Sequence, residues 1–124
     1  MGCEAMTANI SYDLVTTFPD LYKDLSHIEC GDGWHDLLYE LSGKIEKLMW
    51  ELPSVERASC YAAQVKSKLG TLRFYMYGST DAIEWLIREA EARSACICEQ
   101  CGKPGKLCGR GWVFTACEEH ANKP

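Results

Sequence analysis

Apolar residues recur at steps of three and four through the first half of the chain. They alternate through a central stretch, then return to steps of three and four. Trp34, Leu37, Leu38, Leu41, Ile45, Leu48, Met49 and Leu52 form one unbroken stripe, which predicts a helix over 34–52. Asp32 stands where an N-cap belongs, and Pro53 ends the run. Ser42-Gly43 in its middle lowers helix propensity by about 1 kcal/mol and leaves room for a slight bend. Upstream, Tyr12, Leu14, Val15, Phe18, Leu21, Tyr22 and Leu25 keep helical spacing until Pro19 interrupts it. One or two short helices are expected between Ser11 and Leu25, with Pro19 in the first turn of the second. Residues 1–10 have no period and read as a loose N-terminus.

The pattern changes after Glu56-Arg57-Ala58-Ser59, which reads as a connector. Cys60 to Lys68 and Thr71 to Tyr77 predict a β-hairpin turning at Leu69-Gly70. Alternation puts Leu72, Phe74 and Met76 on one face, and Arg73, Tyr75 and Tyr77 on the other. Lys66 and Lys68 share one face of the first strand. Gly78-Ser79-Thr80-Asp81 then opens a helix, with Asp81 and Glu84 as a capping-box-like pair. Ile83, Leu86, Ile87 and Ala90 form its buried stripe, while Glu89, Glu91 and Arg93 face water. A lone hairpin is marginal, so the two long helices are expected to cover its apolar face. The fold class is α+β: helices packed on a two-stranded hairpin, with a small C-terminal module. The expected division is an α+β core over 1–95 and a module over 96–124, docked without a flexible linker.

That module carries the clearest chemistry. Cys98 and Cys101 form a C-x2-C pair, Cys117 and His120 a C-x2-H pair, and fifteen residues separate them. Such doublets at this separation mark a structural zinc site. Gly102 and Pro104-Gly105 suit the sharp reversal of a knuckle. Trp112 to Thr115 reads as a short strand leading back to the metal. Cys117 to His120 reads as the first turn of a helix. Knuckle, hairpin and helix make a treble-clef or zinc-ribbon arrangement with one Zn²⁺. Cys96 and Cys108 stand nearby, and Cys108 is the better substitute ligand. Disulfides are the alternative for these thiols, and nothing in the sequence points to export. The N-terminus lacks a signal peptide's basic and apolar regions, and no apolar run spans a membrane. A reducing cytoplasm is therefore expected, where eight cysteines argue for metal and free thiols.

The net charge of −5 is unevenly spread. Residues 1–56 hold eleven acids against three bases, and residues 57–124 seven against ten. An acidic surface favours basic partners.

Three stretches together resemble a group of small zinc-knuckle proteins encoded by phages and prophages. They are Gly31-Asp32-Gly33-Trp34, the hairpin Gln64 to Tyr75, and Cys98-x2-Cys101-Gly102 through Cys117-x2-His120. The similarity covers residues 28–120, and the hairpin motif is its most specific part. The resemblance implies a phage origin and no particular catalytic activity. Small phage proteins of this size often bind a host machine, and inhibitors of host defence such as anti-CRISPR proteins are one such class.

Three functions follow as expectations. The first is a non-enzymatic binding protein that occludes a surface on a host protein or nucleoprotein complex, in the host cytoplasm and away from membranes. No Gly-rich phosphate loop, H-E-x-x-H or nucleophile–base pair is present. The second is a nucleic-acid-binding zinc protein. Lys66, Lys68, Arg73, Lys103, Lys106 and Arg110 would meet phosphates, and Tyr75, Tyr77 and Trp112 would stack on bases. The third is a metal-dependent nuclease using Asp32, His35, Asp36 and Glu40, although a single helix edge seldom completes an octahedral site. A solvated acidic face explains Asp32, Asp36 and Glu40 as well. Oligomeric state stays open; Tyr39 and Trp50, off the main stripe, serve either a dimer contact or a wider core.

Overall fold

A computed structural model describes residues 10–25, 27–109 and 113–121. The fold is α+β. Among the described residues helix α1 (Ile10–Thr17) comes first, then a 3-10 turn (Asp32–Trp34) that runs into α2 (His35–Met49). A short α3 (Ser54–Ala58) leads to strands β1 (Tyr61–Lys68) and β2 (Thr71–Tyr77). Helix α4 (Asp81–Ser94) follows, then β3 (Lys106–Cys108), β4 (Phe114–Ala116) and α5 (Glu118–Ala121). Of residues 1–10, expected to be loose, 1–9 lie outside the described residues, as do Arg110 and Trp112 of the module, while Ile10 is buried and opens α1.

The predicted stripes become the core. Leu14, Phe18, Leu21 and Tyr22 pack with Trp34, Leu37, Leu38, Leu41, Ile45 and Met49. Ile83, Ile87 and Ala90 of α4 join them, with Val65, Leu72 and Phe74 of the hairpin. Helix α4 lies against both α2 and β2. Several local expectations differ in detail. Pro19 has no N–H to donate and disfavours the α conformation at Phe18, so α1 stops at Thr17 and turns carry the chain to Asp24. No second helix opens there. Tyr12 points outward, 68% exposed. Asp32 does not cap α2; it sits inside the 3-10 turn, whose N-cap position is Gly31. Thr80, not Asp81, caps α4, its hydroxyl accepting from the Ile83 N–H at 3.2 Å. Ser54–Ala58 is a short helix where a plain connector was expected.

Strands β1 and β2 pair antiparallel, with Val65 opposite Phe74 and Lys66 opposite Arg73. Both turn residues have positive φ, 54° at Leu69 and 83° at Gly70, as a two-residue type I′ turn demands. The register slips between Ala62 and Gln64, so a bulge at Ala63 lets both Ala62 and Val65 face the core.

Neither edge of this small sheet is left open. On the β1 side, Glu29 N–H donates to Val65 O, and Ser67 N–H donates to Glu29 O. On the β2 side, Leu72 N–H donates to Ser94 Oγ at 2.9 Å, and Phe74 N–H to Glu91 Oε2 at 3.0 Å. Glu91 therefore caps a strand edge, where the helix pattern alone had turned it to water. Two helix side chains here replace a third strand. Among the described residues no helix is long and apolar enough to cross a membrane.

Candidate metal centre

Helix α4 ends at Ser94 and the chain enters the knuckle at once. Cys98 N–H donates to Lys103 O at 2.8 Å, and Gly102 N–H returns to Cys98 O at 2.9 Å. Closing so tight a loop needs the left-handed φ of 83° that Gly102 supplies. Strands β3 and β4 pair antiparallel, Lys106 opposite Ala116 and Cys108 opposite Phe114. The chain then passes through Cys117 into α5, where a single turn places His120 beside it. Knuckle, hairpin and helix follow one another in the order the spacing predicts.

Cys98, Cys101, Cys117 and His120 bring one ligand atom each to within 4.8 Å of all the others. Cys117 Sγ lies 3.2 Å from His120 Nδ1, Cys98 Sγ 3.4 Å from the same nitrogen, and Cys101 Sγ 3.6 Å from Cys117 Sγ. A tetrahedral ion with metal–sulfur bonds of about 2.3 Å and metal–nitrogen bonds of about 2.0 Å has edges of about 3.5–3.8 Å. These three edges match that figure within a few tenths of an ångström, and the other three are no longer than 4.8 Å. The group could hold a metal ion. A disulfide would bring two sulfurs to about 2.05 Å, and all seven cysteines among the described residues are free. Cys96 is exposed and Cys108 bonds its own hairpin at Lys106 O, so neither belongs to the group.

One ligand, Cys98, is also electrostatically prepared; at Cys101 the Lys103 N–H lowers the pKa, but burial and the Cys98 and Cys117 thiols outweigh it and raise it. Burial pushes the Cys98 thiol up, but backbone N–H groups of Cys117, Cys101 and Gln100 outweigh it, bringing its pKa down to about 6. A thiol so placed is largely thiolate at neutral pH, the form a metal needs.

Glu99, between the first two ligands, joins the knuckle to the core. Its carboxylate accepts from Gly31 N–H through Oε2 and from Ser67 Oγ through Oε1, both at 2.9 Å. Its carbonyl accepts from Gly33 N–H at 2.7 Å, and its own N–H donates to Thr115 O at 3.0 Å. Trp34, wholly buried, donates its indole N–H to Ile97 O at 2.9 Å. A Cβ on Gly33 would come within 2.2 Å of Cys98 O, so only glycine lets the knuckle backbone approach. At the other end, Thr115 Oγ1 donates to Gly70 O, and Leu107 and Phe114 pack on the hairpin turn. The three stretches that carry the sequence resemblance thus meet at one interface.

The remaining candidate residues fall into two groups. On the helix edge, Asp32 and Asp36 are exposed. Glu40 forms ion pairs with Lys44 at 2.9 Å and Arg93 at 3.1 Å, which hold its carboxyl below the usual range. His35 bonds Asp13 through Nε2 and Asp36 through Nδ1. The structure does not bring Asp32, His35, Asp36 and Glu40 to a common point; among the described residues the Cys/His group is the one cluster suited to a metal. On the hairpin, Lys66, Lys68, Arg73, Tyr75 and Tyr77 share the face turned away from the core. Lys103 and Lys106 lie exposed in the module.

Glu99, Ser67, Ser94 and Thr115 carry contacts that the sequence reading missed. The x positions of a C-x2-C motif give no sign of their partners. A serine ending an apolar helix stripe and a threonine inside an apolar strand were the available signals. Comparison of the chain with protein-family models, curated proteins and solved structures finds no match.

Proposed function

We propose that this chain is a non-enzymatic binding protein stabilised by one structural Zn²⁺. Three sulfurs and one imidazole in a tetrahedron favour zinc over harder or octahedral ions. The observation that carries the reading is the closed Cys98–Cys101–Cys117–His120 group, packed through Glu99 against the core. Four protein ligands leave no position for a reacting water, so the metal shapes a surface and does no chemistry. The resemblance to phage proteins supports a host macromolecular machine as the target, a defence system among them, occluded at its own binding surface. The test is to pass tagged protein and host extract through size exclusion. A stoichiometric complex with a host protein or nucleoprotein is expected, without turnover. Magnesium-dependent cleavage of nucleic acid, lost in Asp36→Ala, would overturn the reading.

One observation favours a second reading, in which the target is nucleic acid. Lys66 and Arg73 stand directly opposite each other on the outer hairpin face, and among the described residues no ion pair engages either. On the helix edge, by contrast, Glu40 is paired and Asp36 bonds His35.

A further inference from the structure

The outer face of the β1–β2 hairpin carries rings and cations on successive rungs. Tyr61 stands opposite Tyr77, with ring centroids 5.2 Å apart. Tyr75 follows two residues along β2, about 7 Å away by strand geometry. Tyr75 is 45% exposed and Tyr77 53%. The cationic rung of Lys66 and Arg73 comes next but one, and Lys68 stands opposite Thr71 at the end. Like charges directly opposite one another destabilise a sheet. Glu29 bridges to Lys66 through its backbone and yet forms no ion pair with it. The Nε of Arg73 is buried and finds no hydrogen-bond acceptor among the described residues.

Among the described residues no ion pair offsets this like-charged rung, whereas an anion would. A phosphate held between Lys66 and Arg73 relieves their repulsion. The neighbouring tyrosines then offer ring faces to whatever the phosphate is attached to.

We infer that this face binds single-stranded nucleic acid, an inference that rests on the second reading above. Lys66, Lys68 and Arg73 hold the phosphates, and unpaired bases stack on Tyr75 and Tyr77. The duplex fits less well, because its bases already cover one another's faces and leave nothing for a tyrosine ring to stack on.

The experiment is fluorescence anisotropy of the zinc-loaded protein with labelled oligo-dT, oligo-U and a mixed-sequence duplex. Single strands should bind, and the duplex should bind markedly less well. With three phosphate contacts, single-strand affinity should fall about 20-fold between about 50 and about 200 mM salt. Replacing Lys66 and Lys68 by Gln should flatten that dependence. Tyr75→Ala and Tyr77→Ala should each weaken binding by roughly 5- to 150-fold. Tyr75→Phe and Tyr77→Phe should keep it, and they preserve the test if the alanine variants unfold. The inference is overturned if no oligonucleotide binds, if the duplex binds as tightly, or if losing the rings changes nothing. A protein that ignores oligonucleotides but holds a host protein overturns this inference alone. Cleavage of the oligonucleotide overturns the binding-protein reading with it.

Discussion

Glu99 Oε2 accepts a hydrogen bond from Gly31 N–H at 2.9 Å, although 68 positions of chain separate them. One residue belongs to the metal knuckle and the other opens the first long helix. Because Glu99 Oε1 also takes the Ser67 hydroxyl, a single carboxylate ties knuckle, helix start and hairpin together. Hydrogen bonds to a charged acceptor are stronger than neutral ones, at about 1.5–3 kcal/mol each.

Glu99→Ala leaves the Gly31 N–H and the Ser67 hydroxyl without that acceptor. It should destabilise the zinc-loaded protein by about 2–4 kcal/mol in urea unfolding. Gly33→Ala should be at least as damaging, about 3 kcal/mol, because its Cβ meets the Cys98 carbonyl, which a turn of a side chain cannot move aside.

Tyr22 and Ser42 share a hydrogen bond of 2.5 Å between hydroxyls, and both residues are buried, at 1% and 0% exposure. Tyr22→Phe should cost about 1–3 kcal/mol by stranding the serine hydroxyl. Adding Ser42→Ala should recover part of that loss. A thermodynamic double-mutant cycle with clear coupling is the expected result.

Leu69 holds a φ of 54° with 63% of its surface exposed. A left-handed leucine costs roughly 1–2 kcal/mol, and its exposure returns little. Leu69→Asn should therefore raise stability by about 1 kcal/mol, read as a higher urea midpoint.

His35 lies between Asp13 and Asp36. Burial alone lowers its pKa, but the two carboxylates outweigh that and raise it above 6.5. The folded state thus holds the proton more tightly than the unfolded chain. The resulting stabilisation is fully present below pH of about 6.5 and is lost as pH rises through the folded value. The stability gap between the parent protein and His35→Gln should accordingly be wider at about pH 5.5 than at about pH 8.5. Asp13 is partly exposed and Asp36 fully so, so the gap should narrow with salt.

Much of this molecule is legible from side-chain periodicity, because burial is what periodicity records. The stripe from Trp34 to Met49 and the alternation of Leu72 and Phe74 both end up inside. The metal group is legible for another reason: ligand doublets are local, and a knuckle fixes their spacing. The places where the reading went astray are settled by partners distant in sequence. Glu91 reads as a solvated helix residue until Phe74 N–H is found beneath it. Glu46 on α2 likewise accepts from a distant backbone donor, Leu21 N–H at 3.2 Å. The bulge at Ala63 follows from a register that no single strand encodes. Gly31 and Gly33 stand out in the sequence only as part of the Gly31-Asp32-Gly33-Trp34 motif, and the knuckle backbone lying against them explains why both lack a side chain.

The central claim is that a metal at Cys98, Cys101, Cys117 and His120 holds the tail against the start of α2. Amide hydrogen exchange at Gly33, whose N–H donates to Glu99 O at 2.7 Å, reads that contact directly when measured before and after chelation. The account predicts one zinc per chain as purified, and strong protection at Gly33 that disappears when the zinc is removed. Protection at Gly33 that survives in metal-free protein would contradict it.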